Sequence, residues 1–282
     1  MKTPNPNILA LLAILLWATL APLAVGLSHV PPFLLTGLAL LVGAALALPL
    51  SRLNWAEWRV PLPTLALGVY GLFGFHFLLF LALRTAPPVQ ANLINYLWPL
   101  GIVVLAPLFL PQARLRAHHV LAALMGFAGA ALAITGGKAA LDAWQWEVGY
   151  GLALVSAFVW ASYSLLTQRV APFRTAAVGL FALISGLLSL LCHLLLEPSV
   201  GLSGRDVFLI GLLGLGPLGA AFYLWDAALK KGNAQHIGLL SFATPLLSTG
   251  LLTLLRQEAL HWSWLAAAGL IVGAAWVGKR KG

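Results

Sequence analysis

Charge is what this 282-residue chain has least of: Asp, Glu, Lys and Arg make up 8% of it, against 61% apolar residues and a mean hydropathy of +0.95. Soluble domains carry about 25% charged residues, so a soluble domain is excluded. Cysteine is nearly absent as well. Cys192 stands alone, which excludes an intrachain disulfide and a thiolate metal site and leaves packing as its reading. The sequence lacks H-E-x-x-H, G-x-S-x-G, a P-loop and a strand-linked G-x-G-x-x-G, and its apolar runs hold no carboxylate pair. Metal-assisted hydrolysis, acyl transfer and direct use of ATP therefore have no visible machinery, and neither a cofactor nor a metal is expected.

What the chain has in abundance is long apolar sequence. A bilayer core about 30 Å thick takes roughly 20 apolar residues per helix. Such windows fall at about 8–27, 33–50, 62–83, 89–110, 120–136, 149–168, 175–196, 207–229, 235–255 and 262–278. They use nearly the whole chain, so the expected fold is an all-α integral membrane protein of ten transmembrane helices. The runs are continuous rather than alternating, which excludes a porin-type barrel. The first run, after Lys2, is longer than the 7–15 apolar residues typical of a signal peptide and reads as a retained helix.

The formal charge of +9 comes from basic residues scattered over the ends of the runs rather than gathered in one patch, which argues for membrane orientation and against nucleic acid. With a cytoplasmic N-terminus, Lys2, Arg52, Arg59, Arg114, Arg116, Arg169, Arg174, Lys230, Lys231, Lys279, Arg280 and Lys281 fall inside. Only Arg84, Lys138, Arg205 and Arg256 fall outside. The positive-inside rule then places both termini in the cytoplasm.

A shift of 146 residues pairs Ala82-Leu83-Arg84 with Ala228-Leu229-Lys230, Tyr96 with Phe242, Pro99-Leu100 with Pro245-Leu246, and Gln112-Ala113 with Glu258-Ala259. A shift of 143 pairs "WAT" at 17–19 with "WAS" at 160–162. The chain reads as two halves, 1–140 and 147–282, of five spans each. Because five is odd, halves of one fold must lie oppositely in the membrane, and that inverted arrangement places a substrate site near the midplane in many secondary transporters.

Three polar stripes at helical spacing interrupt the apolar background. "NYLWP" at 95–99 belongs to the first, with Asn92, Asn95, Tyr96 and Pro99 on one face and Trp98 beside it. Ser156, Trp160, Tyr163, Ser164 and Thr167 form the second, and Ser241, Thr244, Pro245 and Ser248 the third. Polar groups facing lipid stay unpaired at a cost of several kcal/mol, so these faces point inward. Asn95, Tyr96, Trp98, Trp160 and Tyr163 are expected to line a cavity, while helix packing is the reading for Ser241, Thr244 and Ser248. Pro99 and Pro245, at matching places in the halves, each remove a backbone bond and are expected to kink their helices and to serve gating.

Ionisable residues inside spans are few. His76 sits among Phe73, Phe75, Phe77 and Phe80, open to a proton-exchange role or to an internally bonded one. Asp226, four residues before Lys230, reads as a snorkelling ion pair at the membrane surface.

Taken together, the ten spans, the five-plus-five inverted repeat and the proline-centred fourth and ninth spans resemble the drug/metabolite transporter superfamily of the EamA-domain type. "QEALHWSWLAAAGLIVGAAWV" at 257–277 is similar to the segment that closes an EamA repeat. "NLINYLWPL" at 92–100 and "AFVWASYSLLTQR" at 157–169 resemble the fourth and sixth spans of the YddG-type aromatic amino acid exporters. The resemblance implies a central cavity lined at Asn95, Tyr96, Trp98, Trp160 and Tyr163, with His76, Tyr223 and Phe242 facing it. Gln112 stands where the closing segment often has the glutamate found at Glu258, which leaves no role for that glutamate in the first half.

The activity implied is export of amino acids, aromatic ones in preference, and of related metabolites across a bacterial inner membrane by alternating access. The partners are small-molecule substrates and the lipid bilayer. Pairing into a dimer has no support in the sequence, so a monomer is the working expectation. A multidrug or cationic-dye exporter is the alternative, since an aromatic box also suits quaternary ammonium groups. A lipid-modifying enzyme is the more distant one.

Overall fold

Peptide groups in hydrocarbon must bond within their own segment, and a continuous apolar run can do that only as a helix. The computed structural model describes residues 4–137, 147–257, 259 and 261–279, and among these residues the regular structure is helical, with no strand. Nine helices among the described residues are long and apolar enough to cross a membrane: α1 (Pro6–Val25), α2 (Pro32–Leu50), α3 (Leu62–Thr85), α4 (Pro88–Phe109), α5 (Ala117–Thr135), α6 (Val148–Leu166), α7 (Thr175–Leu196), α8 (Gly204–Lys231) and α9 (Ala234–Leu255). A further apolar helix, α10 (Trp262–Val277), is shorter at 16 residues. Lys2, Lys138, Glu258, Arg280 and Lys281 lie outside the described residues.

The starts of the helices are encoded locally. Pro6, Pro32 and Pro88 open α1, α2 and α4, where the missing N–H has no intrahelical partner to lose. Ser203 and Asp206 form a reciprocal capping box on α8. The Asn233 side chain accepts from the His236 amide at the head of α9.

Irregular turns recur at the repeat spacing. A π-helical turn interrupts α3 at Tyr70–Gly74 and α8 at Gly216–Ala220, positions that differ by 146. These turns absorb extra residues, and α8 reaches 28 residues against the window of 207–229 read from the sequence. The α4 helix breaks after Asn95 and resumes at Trp98, and α9 breaks at Phe242. Both breaks precede the prolines by about three residues, because a proline ring clashes with the carbonyl four residues back, that of Asn95 for Pro99 and of Ser241 for Pro245.

Contacts between helix ends define two ends of the bundle. At the near end, Gln235 Nε2 at the start of α9 donates to the Val103 carbonyl (3.2 Å) and the Arg114 carbonyl (3.4 Å). Beside it, Arg169 Nε after α6 donates to the Phe109 carbonyl and Gln168 Nε2 to that of Leu229. At the far end, the fully buried Glu197 carboxylate accepts from the Phe33 and Leu34 amides that open α2 and from Arg84 at the end of α3, while pairing with His193. Helix α2 has Pro31 ahead of it and no side-chain cap of its own, so Glu197 serves as that cap from α7.

Candidate functional site

Helix α1 packs against α8 and the broken α9, and beside it lies a chamber of about 140 Å³ lined by Trp17, Leu20, Phe75, His76, Leu79, Asn92, Asn95, Tyr96, Trp98, Trp160, Leu218, Phe222 and Thr244. Trp17 stands 6.3 Å from Trp98 and 5.8 Å from Trp160, ring centre to ring centre, both edge-to-face. Phe75 and Phe222 close on Trp160 at 5.1 and 5.8 Å. Trp225 backs Trp17 at 5.0 Å and donates from its indole nitrogen to Ser164. Edge-to-face geometry of this kind contributes about 0.5–1.5 kcal/mol per pair, so the aromatic floor is rigid.

Polar atoms reach the chamber from α3, α4 and α9. Asn95 Oδ1 and Thr244 Oγ1 are buried and have no hydrogen-bond partner, an arrangement that costs free energy unless a ligand or water completes it. The His76 ring is oriented by Nδ1, which donates to the Leu72 carbonyl at 2.6 Å; Nε2 is then the acceptor nitrogen. Toward the far end the chamber opens into a wider mouth of about 440 Å³, sharing Trp17, Leu20, Asn92, Tyr96 and Thr244 and adding Pro245, Ser248, Thr249 and Leu252 of α9. Among the described residues, no carboxylate lines either space.

The structure thus brings Asn95, Tyr96, Trp98, Trp160 and His76 together in one chamber. Tyr163, Tyr223 and Phe242 are not among its lining residues. Tyr163 lies against Gly71 in the π turn of α3, where its ring leaves no room for a side chain. Tyr223 donates to the Gly43 carbonyl at 2.9 Å. Phe242 is turned into α5 against Gly126, again in space that a side chain would fill. Of the proline pair, Pro245 lines the mouth, whereas Pro99 is buried at the start of the second segment of α4.

Within the second stripe only Trp160 faces the chamber; Ser156 donates to the Phe75 carbonyl and Thr167 to that of Ser164. In the third stripe, Ser241 bonds within its own helix, consistent with packing, but Thr244 faces the chamber and Ser248 the mouth. Trp17 and Phe222 were not marked as site residues by sequence. The signal for Trp17 was its repeat pairing with Trp160. Asp226 also differs from expectation. Its carboxylate is fully buried rather than snorkelling, with Oδ2 accepting from Thr175 (2.7 Å) and Lys230 (2.6 Å), while Lys230 Nζ also donates to the Phe173 carbonyl and sits 3.4 Å from the centre of its ring. The segment at the start of α7 folds over the end of α8 and buries the Asp226 carboxylate, leaving Lys230 partly exposed.

A closed aromatic floor, unsatisfied polar atoms and a mouth at one end of a membrane-crossing bundle are features that suit a transporter. The chain belongs to the EamA-like transporter family, which matches residues 5–135 and again 147–277. It is 41% identical to the aromatic amino acid exporter YddG of Ancylobacter novellus, over 98% of this chain and 97% of that one. It is 27% identical to the Escherichia coli K12 exporter of the same name over the full length of both. A probable amino-acid metabolite efflux pump of Salmonella typhimurium is 30% identical over 95% of this chain and 93% of its own. A solved crystal structure 41% identical in sequence superimposes with a TM-score of 0.92, covering 97% of this chain and 95% of that one.

Proposed function

We propose that this protein exports amino acids, aromatic ones in preference, from the bacterial cytoplasm by alternating access. The observation that carries the substrate class is the pairing of the aromatic floor with the partnerless Asn95 Oδ1 and Thr244 Oγ1. The substrate ring packs on Trp17, Trp98 and Trp160, the ammonium donates to the two oxygens, and the Asn92 amide and Tyr96 hydroxyl receive the carboxylate. No lining carboxylate pairs the ammonium, so affinity is modest and selectivity broad. The identity with the YddG exporters supports the same reading.

In this reading the 16-residue α10 is a tenth span, and the halves 1–140 and 147–282 are inverted repeats that rock about the chamber. Both termini are cytoplasmic. The near end then faces the cytoplasm and is shut, while the mouth faces outward. The breaks ahead of Pro99 and Pro245 are the bending points.

Proteoliposomes loaded with unlabelled substrate test this directly. Labelled tryptophan and phenylalanine are expected to exchange saturably, threonine and lysine weakly. Asn95→Ala and Trp160→Ala, in variants that keep the native elution profile, are expected to reduce aromatic exchange at least tenfold; exchange retained in both would remove the chamber from substrate recognition. A cationic-drug exporter driven by protons would need a membrane carboxylate, and Asp226 is the candidate. Its bonds to Thr175 and Lys230 give it a structural role instead. Asp226→Asn is expected to lower thermal stability in detergent while exchange persists in the folded fraction, and selective loss of exchange would favour the drug-export reading.

A further inference from the structure

A second space adjoins the chamber. Between α1, α2, α3 and α8 it measures about 330 Å³, more than twice the 140 Å³ of the chamber itself, and Leu20, His76, Leu79 and Leu218 line both. The character of its walls differs from that of the mouth. Leu27, Val30, Leu35, Phe80 and Leu213 face it, and its polar side chains besides His76 are the single hydroxyls of Ser28 and Thr36. The mouth carries the amide, phenol and hydroxyls of Asn92, Tyr96, Thr244, Ser248 and Thr249, so a polar and an apolar space both adjoin the chamber.

His76 stands as the post at this junction. Its Nδ1 bond to the Leu72 carbonyl fixes the ring, and Phe75, Phe80 and Phe222 pack around it at 5.1, 5.9 and 6.2 Å. A ring so held is a fixed part of the wall between chamber and arm. The tryptophans Trp17, Trp98 and Trp160 line the chamber and not the arm.

We propose that this arm is a second binding subsite that takes the distal apolar part of zwitterionic substrates longer than the ordinary aromatic amino acids, of the class of biaryl amino acids. The proposal rests on the amino acid export reading above and extends it. The head group stays at Asn95 and Thr244, the first ring occupies the chamber, and the second ring enters past His76. Burying one more phenyl ring in a preformed apolar space tightens binding by about tenfold or more. Polar extensions of the same length find no partner in the arm and gain nothing.

Competition against labelled phenylalanine exchange in proteoliposomes tests this, with L-4-phenylphenylalanine and phenylalanine as competitors. The biaryl is expected to inhibit the native chain at about one-tenth the concentration of phenylalanine. Ala24 and Thr36 line the arm and not the chamber, so Ala24→Leu and, separately, Thr36→Leu are expected to erase that advantage and leave inhibition by phenylalanine unchanged. A biaryl no better than phenylalanine on the native chain, or an advantage that survives both filled variants, overturns the subsite. So does a tightly held acyl chain in native mass spectra that the biaryl cannot displace, which would assign the arm to lipid. If the native chain exchanges no phenylalanine, the export reading fails on its own; thermal shift of the purified chain by the biaryl, native against Ala24→Leu, then decides the arm, an equal shift in both overturning it.

Discussion

Glu197→Ala is expected to destabilise the protein by about 3–5 kcal/mol, the range seen when one partner of a buried charge pair is removed. The carboxylate is fully buried and gathers three helix ends: Oε1 accepts from the Phe33 amide (3.0 Å) and Arg84 (2.8 Å), Oε2 from the Leu34 amide (3.2 Å) with His193 at 3.0 Å. Alanine leaves two amides at the head of α2 without a cap, in a helix whose preceding Pro31 offers none. Glu197→Gln keeps one acceptor and loses the charge, so its cost is expected to be intermediate. Arg84→Ala is expected to cost least, because the Arg84 side chain is 37% exposed and water replaces much of what it gives. Melting of the detergent-purified chain, followed by loss of the monodisperse peak, checks the order. Equal melting points for all three variants would show that the far end is held together by packing alone.

Glu197 also marks where sequence reading stops. It sits just past an apolar run, and its partners lie 164, 163 and 113 residues away in the chain. No local pattern carries that information. The spans, in contrast, are legible because each must satisfy its own backbone, and the repeat is legible because the prolines after both breaks recur at 146; the π turns at Tyr70–Gly74 and Gly216–Ala220 recur at the same spacing but share only Leu72 and Leu218, so the sequence does not announce them. The chamber was partly legible. Asn95, Tyr96 and Trp98 line it because the break in α4 turns that face inward. Helical spacing alone could not separate Trp160 from Tyr163, since what draws Tyr163 aside is the bare surface of Gly71 on another helix. Gly126 and the Gly43 carbonyl act likewise on Phe242 and Tyr223. Thr244 was read as packing because its missing partner is visible only once the surrounding helices are in place.

The repeat also predicts how the near end opens. Residues that flank the mouth have partners 146 positions away that are packed shut: Asn92 corresponds to Gly238, Ser248 to Ile102, Thr249 to Val103 and Leu252 to Ala106. Ile102, Val103 and Ala106 are fully buried, and a β-carbon on Gly238 would lie 2.9 Å from the Ile102 side chain and 3.3 Å from the Pro99 carbonyl. Gln235, which replaces the Val89 of the mouth, adds the two hydrogen bonds to Val103 and Arg114 that hold α9 against α4. Gly238→Leu therefore inserts a side chain into the closed seam. Overpacking of this kind costs about 1–3 kcal/mol, enough to move the balance of closed and open near ends by roughly 5- to 150-fold. In a chain carrying Cys192→Ser, a cysteine placed by Ile102→Cys is expected to resist a membrane-impermeant maleimide, and adding Gly238→Leu is expected to expose it and to depress exchange at least tenfold, because the seam must reclose in every cycle. Adding Gln235→Val instead is expected to raise labelling less, since it removes two hydrogen bonds and leaves the packing. Labelling that stays at the starting level in both variants, with exchange intact, would mean that α4 and α9 part elsewhere and that the seam at Gly238 is a fixed contact rather than the inner gate.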